Sequence, residues 1–390
     1  MRRVASKGPS PSQLRGDTMQ AENALEPVLR EVLAPSADEI DRTGSFPREA
    51  VDALGCAGLL GLVSAEEVGG AGAGPAAAAA VVRRTAAVCG STAMVLSMHY
   101  VAAAVIECHG PRRTREAIAA GEHLTTLAFS ESGSRSHFWA PVGTATADGD
   151  AVRLDAQKSW VTSAGEADSY VWSSQPLAAG GTSTLWLVPA NHPGLKVAGP
   201  FDGLGLRGNA SSPVTTEGVR VPSTARLGDD GGGFELMMGL VLPWFAVLNA
   251  GASLGMMDAI TEKTAAHAGR VRFAHRDERL ADLPTIRAYV ARMRVATDQV
   301  AALVADAAAA VEGGREDASL AVMEAKAAAG ESATYVADLG MRVCGGAAFS
   351  KDVGVERHFR DARAATVMAP TTDALYDFIG RAVCGLPVFE

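Results

Sequence analysis

The spacing of apolar residues changes period twice along this chain, and that change limits the fold more than any other feature. Leu25, Val28, Leu29, Val32 and Leu33 recur at helical intervals, and Val51, Leu54 and Leu59 to Leu62 make a second apolar face before the glycine-rich loop Gly69 to Gly74. Buried helices are predicted over Ala76 to Cys89 and Ser91 to Cys108, with Gly110-Pro111 ending the second. After Gly121 the pattern alternates instead. Strands are predicted at Thr125 to Phe129, and at Thr144 to Ala147 and Ala151 to Asp155 around the hairpin signal Asp148-Gly149. More follow at Tyr170 to Trp172 and Thr184 to Val188 around Gly180-Gly181, and at Val214 to Val221. From Gly233 the helical period returns. A short helix over Phe234 to Leu242 is expected to stop, with Pro243 starting a new one that runs to His267. Alanine-rich helices follow over Leu283 to Glu312 and Asp317 to Val343. No G-x-G-x-x-G follows a strand, so a Rossmann fold is unsupported. The order predicts an α+β chain: a tail over 1–20, a helical domain over 21–122, a β-barrel or sandwich over 123–230 and a helical bundle over 231–390.

With 390 residues, 48% hydrophobic and 20% charged, the chain is long enough for two or three subdomains around a substantial core. A net charge of −9 argues against a nucleic-acid partner or an anionic membrane. Cys56, Cys89, Cys108, Cys344 and Cys384 form no CxxC pair, so neither a metal site nor a disulfide framework is indicated, and buried thiols in a reducing cytoplasm are expected. Met1 to Thr18 has no apolar run behind Arg2-Arg3 and reads as a frayed tail rather than a signal. Alanine-rich stretches such as Ala76 to Val82 stop at Arg83-Arg84, and none is expected to be long enough to span a bilayer.

Four stretches carry candidate chemistry: "LAFSESGSRSHFWAP" (Leu127 to Pro141), "QKSWVTSAGEADSYV" (Gln157 to Val171), "GLGLRGNASSPVTTEGVRVP" (Gly203 to Pro222) and "GGAAFSKDVGVERHFRDARAATVMAPTTD" (Gly345 to Asp373). Taken singly, the first two read as a serine-rich turn and a core tryptophan. In this order and spacing, the four resemble the acyl-CoA dehydrogenase superfamily from about Ala21 onward. The resemblance implies an N-terminal helical domain, a central β-domain and a C-terminal four-helix bundle, with FAD bound between the β-domain and the C-terminal helices. It implies flavin contacts for Phe129, Ser130, Trp160 and Thr162, and a pyrophosphate contact for Ser136. A flat redox ring needs an aromatic wall and hydrogen-bond donors at its polar edge, which these residue types supply. It also implies that Arg270, Phe273, Arg342, Gly345 and Gly346 complete the cofactor site of a neighbouring subunit, so a homodimer or homotetramer is expected. A glycine pair lets backbone approach a phosphate closely. Arg342 stands where the family has a glutamine, and a guanidinium pairs with phosphate directly. Thr371 and Asp373 fall at further cofactor-contact positions, and Arg360-Asp361 is expected to be a structural ion pair.

The departures concern the reaction. Relatives take an α-proton with a glutamate just before a glycine-threonine pair, where this chain has Ala369-Pro370-Thr371. A minority place that glutamate on the helix after the β-domain, where this chain has Phe245-Ala246. The replacement candidates are Asp373, His99 and Glu131. Each has a bland alternative: helix-terminus stabilisation for Asp373, a packed core histidine for His99, and a common glutamate that is not the base for Glu131. The leading expectation is dehydrogenation of an acyl thioester, CoA- or carrier-bound, with an electron-accepting flavoprotein as partner. The second is a flavin monooxygenase or N-hydroxylase of the same fold, supplied with reduced FMN or FAD by a separate reductase, with His137, Trp139, Trp244 and Phe245 around an aromatic pocket. The third is a non-catalytic partner subunit.

Overall fold

The computed structural model of the protein describes residues 18–134 and 137–389. Ser136, singled out above, lies outside the described residues. The N-terminal part holds α1 (Thr18–Val28), a π-helical turn (Leu29–Leu33), α2 (Ala34–Thr43), α3 (Arg48–Cys56), α4 (Pro75–Val88), α5 (Gly90–His109) and α6 (Arg112–Ala119). Sequence dictates how deep each lies. The helix α5 is apolar or small on every face and is buried along nearly its whole length, whereas α1 and α2 bury one stripe each.

Eight strands follow: β1 (Thr125–Ala128), β2 (Thr144–Asp148), β3 (Ala151–Val161), β4 (Ser169–Ser174), β5 (Thr184–Pro189), β6 (Leu195–Val197), β7 (Ser212–Pro222) and β8 (Arg226–Leu227). They form two four-stranded sheets, in the orders β1-β4-β5-β8 and β2-β3-β7-β6. Only the β1–β4 pairing is parallel in these two sheets. The β2–β3 hairpin turns at Gly149, whose φ of 67° is open to glycine at no steric cost.

The chain then becomes helical again through α7 (Gly233–Leu236), α8 (Leu242–Arg270), α9 (Pro284–Glu312), α10 (Ala318–Cys344), α11 (Gly346–Phe349), α12 (Val355–Ala362), α13 (Ala364–Val367) and α14 (Thr372–Val383). A two-residue hairpin pairs Arg272–Phe273 with Glu278–Arg279 between α8 and α9. The helices α8, α9, α10 and α14 make the terminal bundle, and α4 lies against α8. Small residues permit that last contact. A Cβ on Gly255 of α8 would stand 2.0 Å from the Arg83 carbonyl oxygen of α4.

Three expectations need correction. Pro243 does not restart the chain: helix runs unbroken from Gly233 to Arg270, and a π-helical turn over Met237–Val241 precedes the proline. A wider turn there leaves room for a ring that would otherwise clash with the preceding helical carbonyls. That helix and α5 are long and apolar enough to cross a membrane by length and composition, although most of each is buried inside the protein. Of the five thiols, Cys89 and Cys344 are buried and Cys56, Cys108 and Cys384 are exposed.

Candidate active site

A cavity of about 660 Å³ opens where the β-domain meets α5, α8 and the α12–α14 segment. Its β-side wall contains Phe129, Ser130, Glu131, Trp160 and Thr162; Met94 and Met98 of α5, Val241, Phe245, Met368 and Ala369 make the helical wall. Phe129, Ser130, Trp160 and Thr162 are therefore brought together on one side of one cavity.

The β-side is built by a distortion in β3. The β3–β7 register slips between Lys158 and Val161, and such a bulge re-aims side chains. Trp160 there takes a φ of 54° and leaves 69% of its surface exposed, with its ring 6.4 Å from that of Phe201. Among the described residues, five non-glycine residues have φ in the left-handed region, and four of them are Trp160 in the β3 bulge, Ser163 just after that strand, and Leu206 and Ala210 in the loop before β7. Strain of this kind persists only where the surroundings enforce it. Here the Ser163 and Ala164 amides donate to the carbonyls of Asn209 and Ala210, at 2.9 and 3.1 Å. The Thr162 and Ser211 hydroxyls share a 3.2 Å bond. Gly205 lets the same loop lie on α12, since a Cβ would meet the Arg360 backbone at 2.5 Å.

Behind this wall lies a buried ion pair. Lys158 Nζ donates to Glu131 Oε1 at 2.6 Å and to the Ser173 carbonyl and hydroxyl at 2.7 and 2.8 Å. Glu131 Oε2 also accepts the Val142 and Gly143 amides, at 2.6 and 2.9 Å. Burial pulls the Lys158 ammonium down to about 8 against the pull of its partner. Glu131 faces the cavity with both oxygens already occupied. These bonds make it an anchor for the loop after β1.

Neither other replacement candidate lines the cavity. His99 is fully buried in α5; its Nδ1 accepts the Thr125 amide at 3.2 Å and its Nε2 donates to the Leu60 carbonyl at 3.0 Å. Burial lowers its pKa to about 4, so it is a neutral bracket between α5 and β1. Asp373 is exposed in the first turn of α14, whose N-cap is Thr371. Arg270, Phe273, Arg342, Gly345 and Gly346 also lie away from this cavity within the single chain. Arg342 is exposed, with its guanidinium 5.1 Å from the Tyr289 ring centroid and donating to its hydroxyl at 3.3 Å. Gly345 takes φ 55°, and open space surrounds both glycines.

Two further placements differ from expectation. Arg360 does not pair with Asp361, because adjacent helical residues face different ways. It binds Asp41 at 2.6 and 2.9 Å and Glu356 at 2.8 Å, whereas Asp361 accepts the Leu206 amide at 2.6 Å. Of the aromatic group expected around a pocket, only Phe245 lines it. Trp139 packs instead with His137, Phe378 and Phe389.

One residue escaped the sequence reading. Lys326 of α10 is 1% exposed, and its ammonium donates to the carbonyls of Met368 at 3.1 Å and Pro370 at 2.7 Å, with the Phe245 ring centroid 5.7 Å away. No carboxylate pairs with it among the described residues, and burial alone lowers its pKa to about 7. The signal was a single charge among alanines on a helix face otherwise reading as core.

Models of the acyl-CoA dehydrogenase N-terminal, middle and C-terminal domains match residues 17–120, 126–219 and 231–384. The human mitochondrial short-chain specific acyl-CoA dehydrogenase is 29% identical over 350 residues, covering 87% of this chain and 84% of its own. Among solved structures, a glutaryl-coenzyme A dehydrogenase bound to glutaryl-CoA is similar, with a TM-score of 0.89 and 25% identity over 100% of this chain and 98% of that one. Butyryl-CoA dehydrogenase from Megasphaera elsdenii shares the fold, with a TM-score of 0.88 and 22% identity over 94% and 98% of the two chains. Three domains in one order, over one cavity at their junction, place this chain in the acyl-CoA dehydrogenase superfamily.

Proposed function

We propose that the protein is a flavin-dependent oxidoreductase that dehydrogenates an acyl thioester, carried by CoA or by a carrier protein, at its α,β carbons. The observation that carries this reading is the division of the cavity into two unlike walls. One offers an exposed indole, hydroxyls and backbone held in a strained geometry; the other is mostly apolar, with Met94, Met98, Val241, Phe245 and Met368, and adds Arg360 and Arg363 from the end of α12. The first wall fits the flat ring of FAD, with Trp160 against it and Ser130 and Thr162 at its polar edge. The second fits an acyl chain. A bound flavin supplies the acceptor for a hydride. This chain's residues bind the two partners, exclude water and hold the acyl group against the ring. We assign to Arg270, Phe273, Arg342, Gly345, Gly346 and Thr371 the completion of a neighbour's cofactor site in a homo-oligomer.

The helical wall also gives a specific reason for a second reading. Neither Ala369 nor Phe245 can take a proton, and the carboxylate that lines the cavity, Glu131, is tied to Lys158 and to the Val142 and Gly143 amides. A monooxygenase fed with reduced flavin does not need that base. One experiment separates the two: the purified protein is examined for an oxidised flavin spectrum and titrated without oxygen with short-chain acyl-CoAs. Bleaching of the flavin supports dehydrogenation. No bleaching, with oxygen consumed when reduced flavin is supplied, supports the monooxygenase.

A further inference from the structure

Lys326 raises a question that the dehydrogenation reading does not answer: what does a buried lysine without a counter-ion do behind a cavity wall? Its ammonium takes the Met368 carbonyl, and the Met368–Ala369 peptide bond is trans. In a trans planar peptide the C=O and the N–H point in opposite directions. Lys326 is buried behind the segment, while Met368 and Ala369 both line the cavity. With the carbonyl turned back to the lysine, the Ala369 N–H is turned to the cavity. Among the described residues nothing accepts it. The second bond, to the Pro370 carbonyl at 2.7 Å, fixes the other side of Ala369.

We propose that Lys326 is a positioning residue: it orients and polarises the Met368–Ala369 peptide so that the Ala369 N–H donates to an oxygen of the ligand, the acyl carbonyl. This rests on the acyl-thioester reading above and adds to it the group that aims the donor. The wall at residue 369 is then a donor wall, with a cation behind it and no acceptor in front. Charge on a ligand oxygen is favoured there by a preformed dipole and a cation that need no reorganisation. A protonated Lys326 strengthens the donor. Its neighbours are Phe245 from α8 and the two carbonyls of the wall, and burial alone lowers its pKa to about 7, so among the described residues no charged group perturbs it.

The test compares two ligands that differ by one oxygen: acetyl-CoA and S-ethyl-CoA, a thioether without the carbonyl. Acetyl-CoA has no β-carbon, so it cannot be dehydrogenated, and both affinities are read by calorimetry on the flavin-loaded enzyme. Wild type is expected to prefer acetyl-CoA by about tenfold at pH 6, the range of one charge-assisted hydrogen bond. In Lys326→Met the preference should fall to about twofold or less while S-ethyl-CoA binds nearly as before. A structural role would instead weaken both ligands alike, and that result overturns the proposal, as does an undiminished preference. If the variant does not fold, wild type alone decides. Its preference should decline between pH 6 and 8.5 with a midpoint near 7, distinct from the value of about 8 for Lys158. The CoA phosphates titrate identically in both ligands and cancel. A flat profile overturns the proposal. Failure of wild type to bind either ligand overturns the thioester reading itself, and the proposal with it.

Discussion

Two buried lysines stand on opposite sides of the cavity, and the chain treats them differently. Lys158, under the β-side wall, has a carboxylate at 2.6 Å, the Ser173 hydroxyl and carbonyl, and the Trp172 ring centroid at 5.1 Å. Lys326, behind the helical wall, has two carbonyls and the Phe245 ring. A buried charge is costly unless it is paired and hydrogen-bonded. The β-side has met that cost internally and reads as finished. The helical side leaves a cation without an anion beside the ligand space. One wall holds itself; the other is completed by what binds.

The largest way to break this comparison is to remove the counter-ion from the finished side. Glu131→Gln should destabilise the protein by about 3–5 kcal/mol, because it strands Lys158 and loosens the Val142 and Gly143 amides together. Urea unfolding measures it. A loss below about 1 kcal/mol would mean that water reaches Lys158 and that the β-side is no more self-sufficient than the other.

The rim of the cavity gives the next effect. Arg360→Ala removes the bonds to Asp41 that tie α12 to α2, and the bond to Glu356 one turn earlier in α12, and should cost about 2–4 kcal/mol while leaving flavin retention nearly intact. Trp160→Ala should do the reverse: little loss of stability, since the indole is mostly exposed, and weaker retention of flavin through dialysis. Equal flavin content in both variants would count against Trp160 as a ring contact.

These contrasts also explain what could be read from the sequence. The three-part fold was legible because the change of period, the Asp148-Gly149 turn and the glycine breaks are local signals. Pro243 misled because the π-helical turn that accommodates it has no local signature. On the β-side of the cavity, Phe129 and Ser130 are neighbours in sequence, and Trp160 in the β3 bulge is two residues from Thr162 just after the strand, so short motifs identify them. The helical wall is assembled from α5, the π-helical turn, α8 and the segment from α12 to α14, with α10 behind it, and no short stretch contains it. Lys326 and Met368 meet across 42 positions. His99 looked chemical by residue type, whereas burial and two backbone partners make it neutral, a property of tertiary packing alone.

Acidity separates the two lysines by a smaller effect. An unfolded lysine stays protonated to about pH 10.5, whereas Lys326 in the fold releases its proton near 7 and Lys158 near 8. The unfolded chain therefore binds more protons between pH 7 and 10.5, and these two groups make stability rise with pH across that window. Below pH 7 both are charged in either state and their full penalty is felt. Lys326→Met should accordingly stabilise the protein at pH 6 by about 1–2 kcal/mol, an effect that fades towards pH 10. Denaturant midpoints at the two pH values give the answer, and a loss of stability at pH 6 would show that the two carbonyl bonds outweigh the buried charge.

The smallest expected effect is the most informative about the reaction, because it makes the helical side resemble the β-side. Ala369→Glu adds a carboxylate to a wall that has only donors. If the protein dehydrogenates thioesters, that carboxylate can take the α-proton, and turnover of short-chain acyl-CoAs with an artificial acceptor should rise about tenfold, roughly 1.4 kcal/mol of barrier and within the range of general base catalysis. If the carboxylate turns back to Lys326 instead, it becomes the missing counter-ion. Turnover then stays flat, the Lys326 pKa rises, and the pH-dependent gain in stability between 7 and 10.5 shrinks towards that of Lys158 alone. A monooxygenase gains nothing from the added charge in either assay, and its oxygen consumption with supplied reduced flavin falls. Turnover and the stability profile, measured on the same variant, therefore distinguish a wall that lacks its base from one built to do without it.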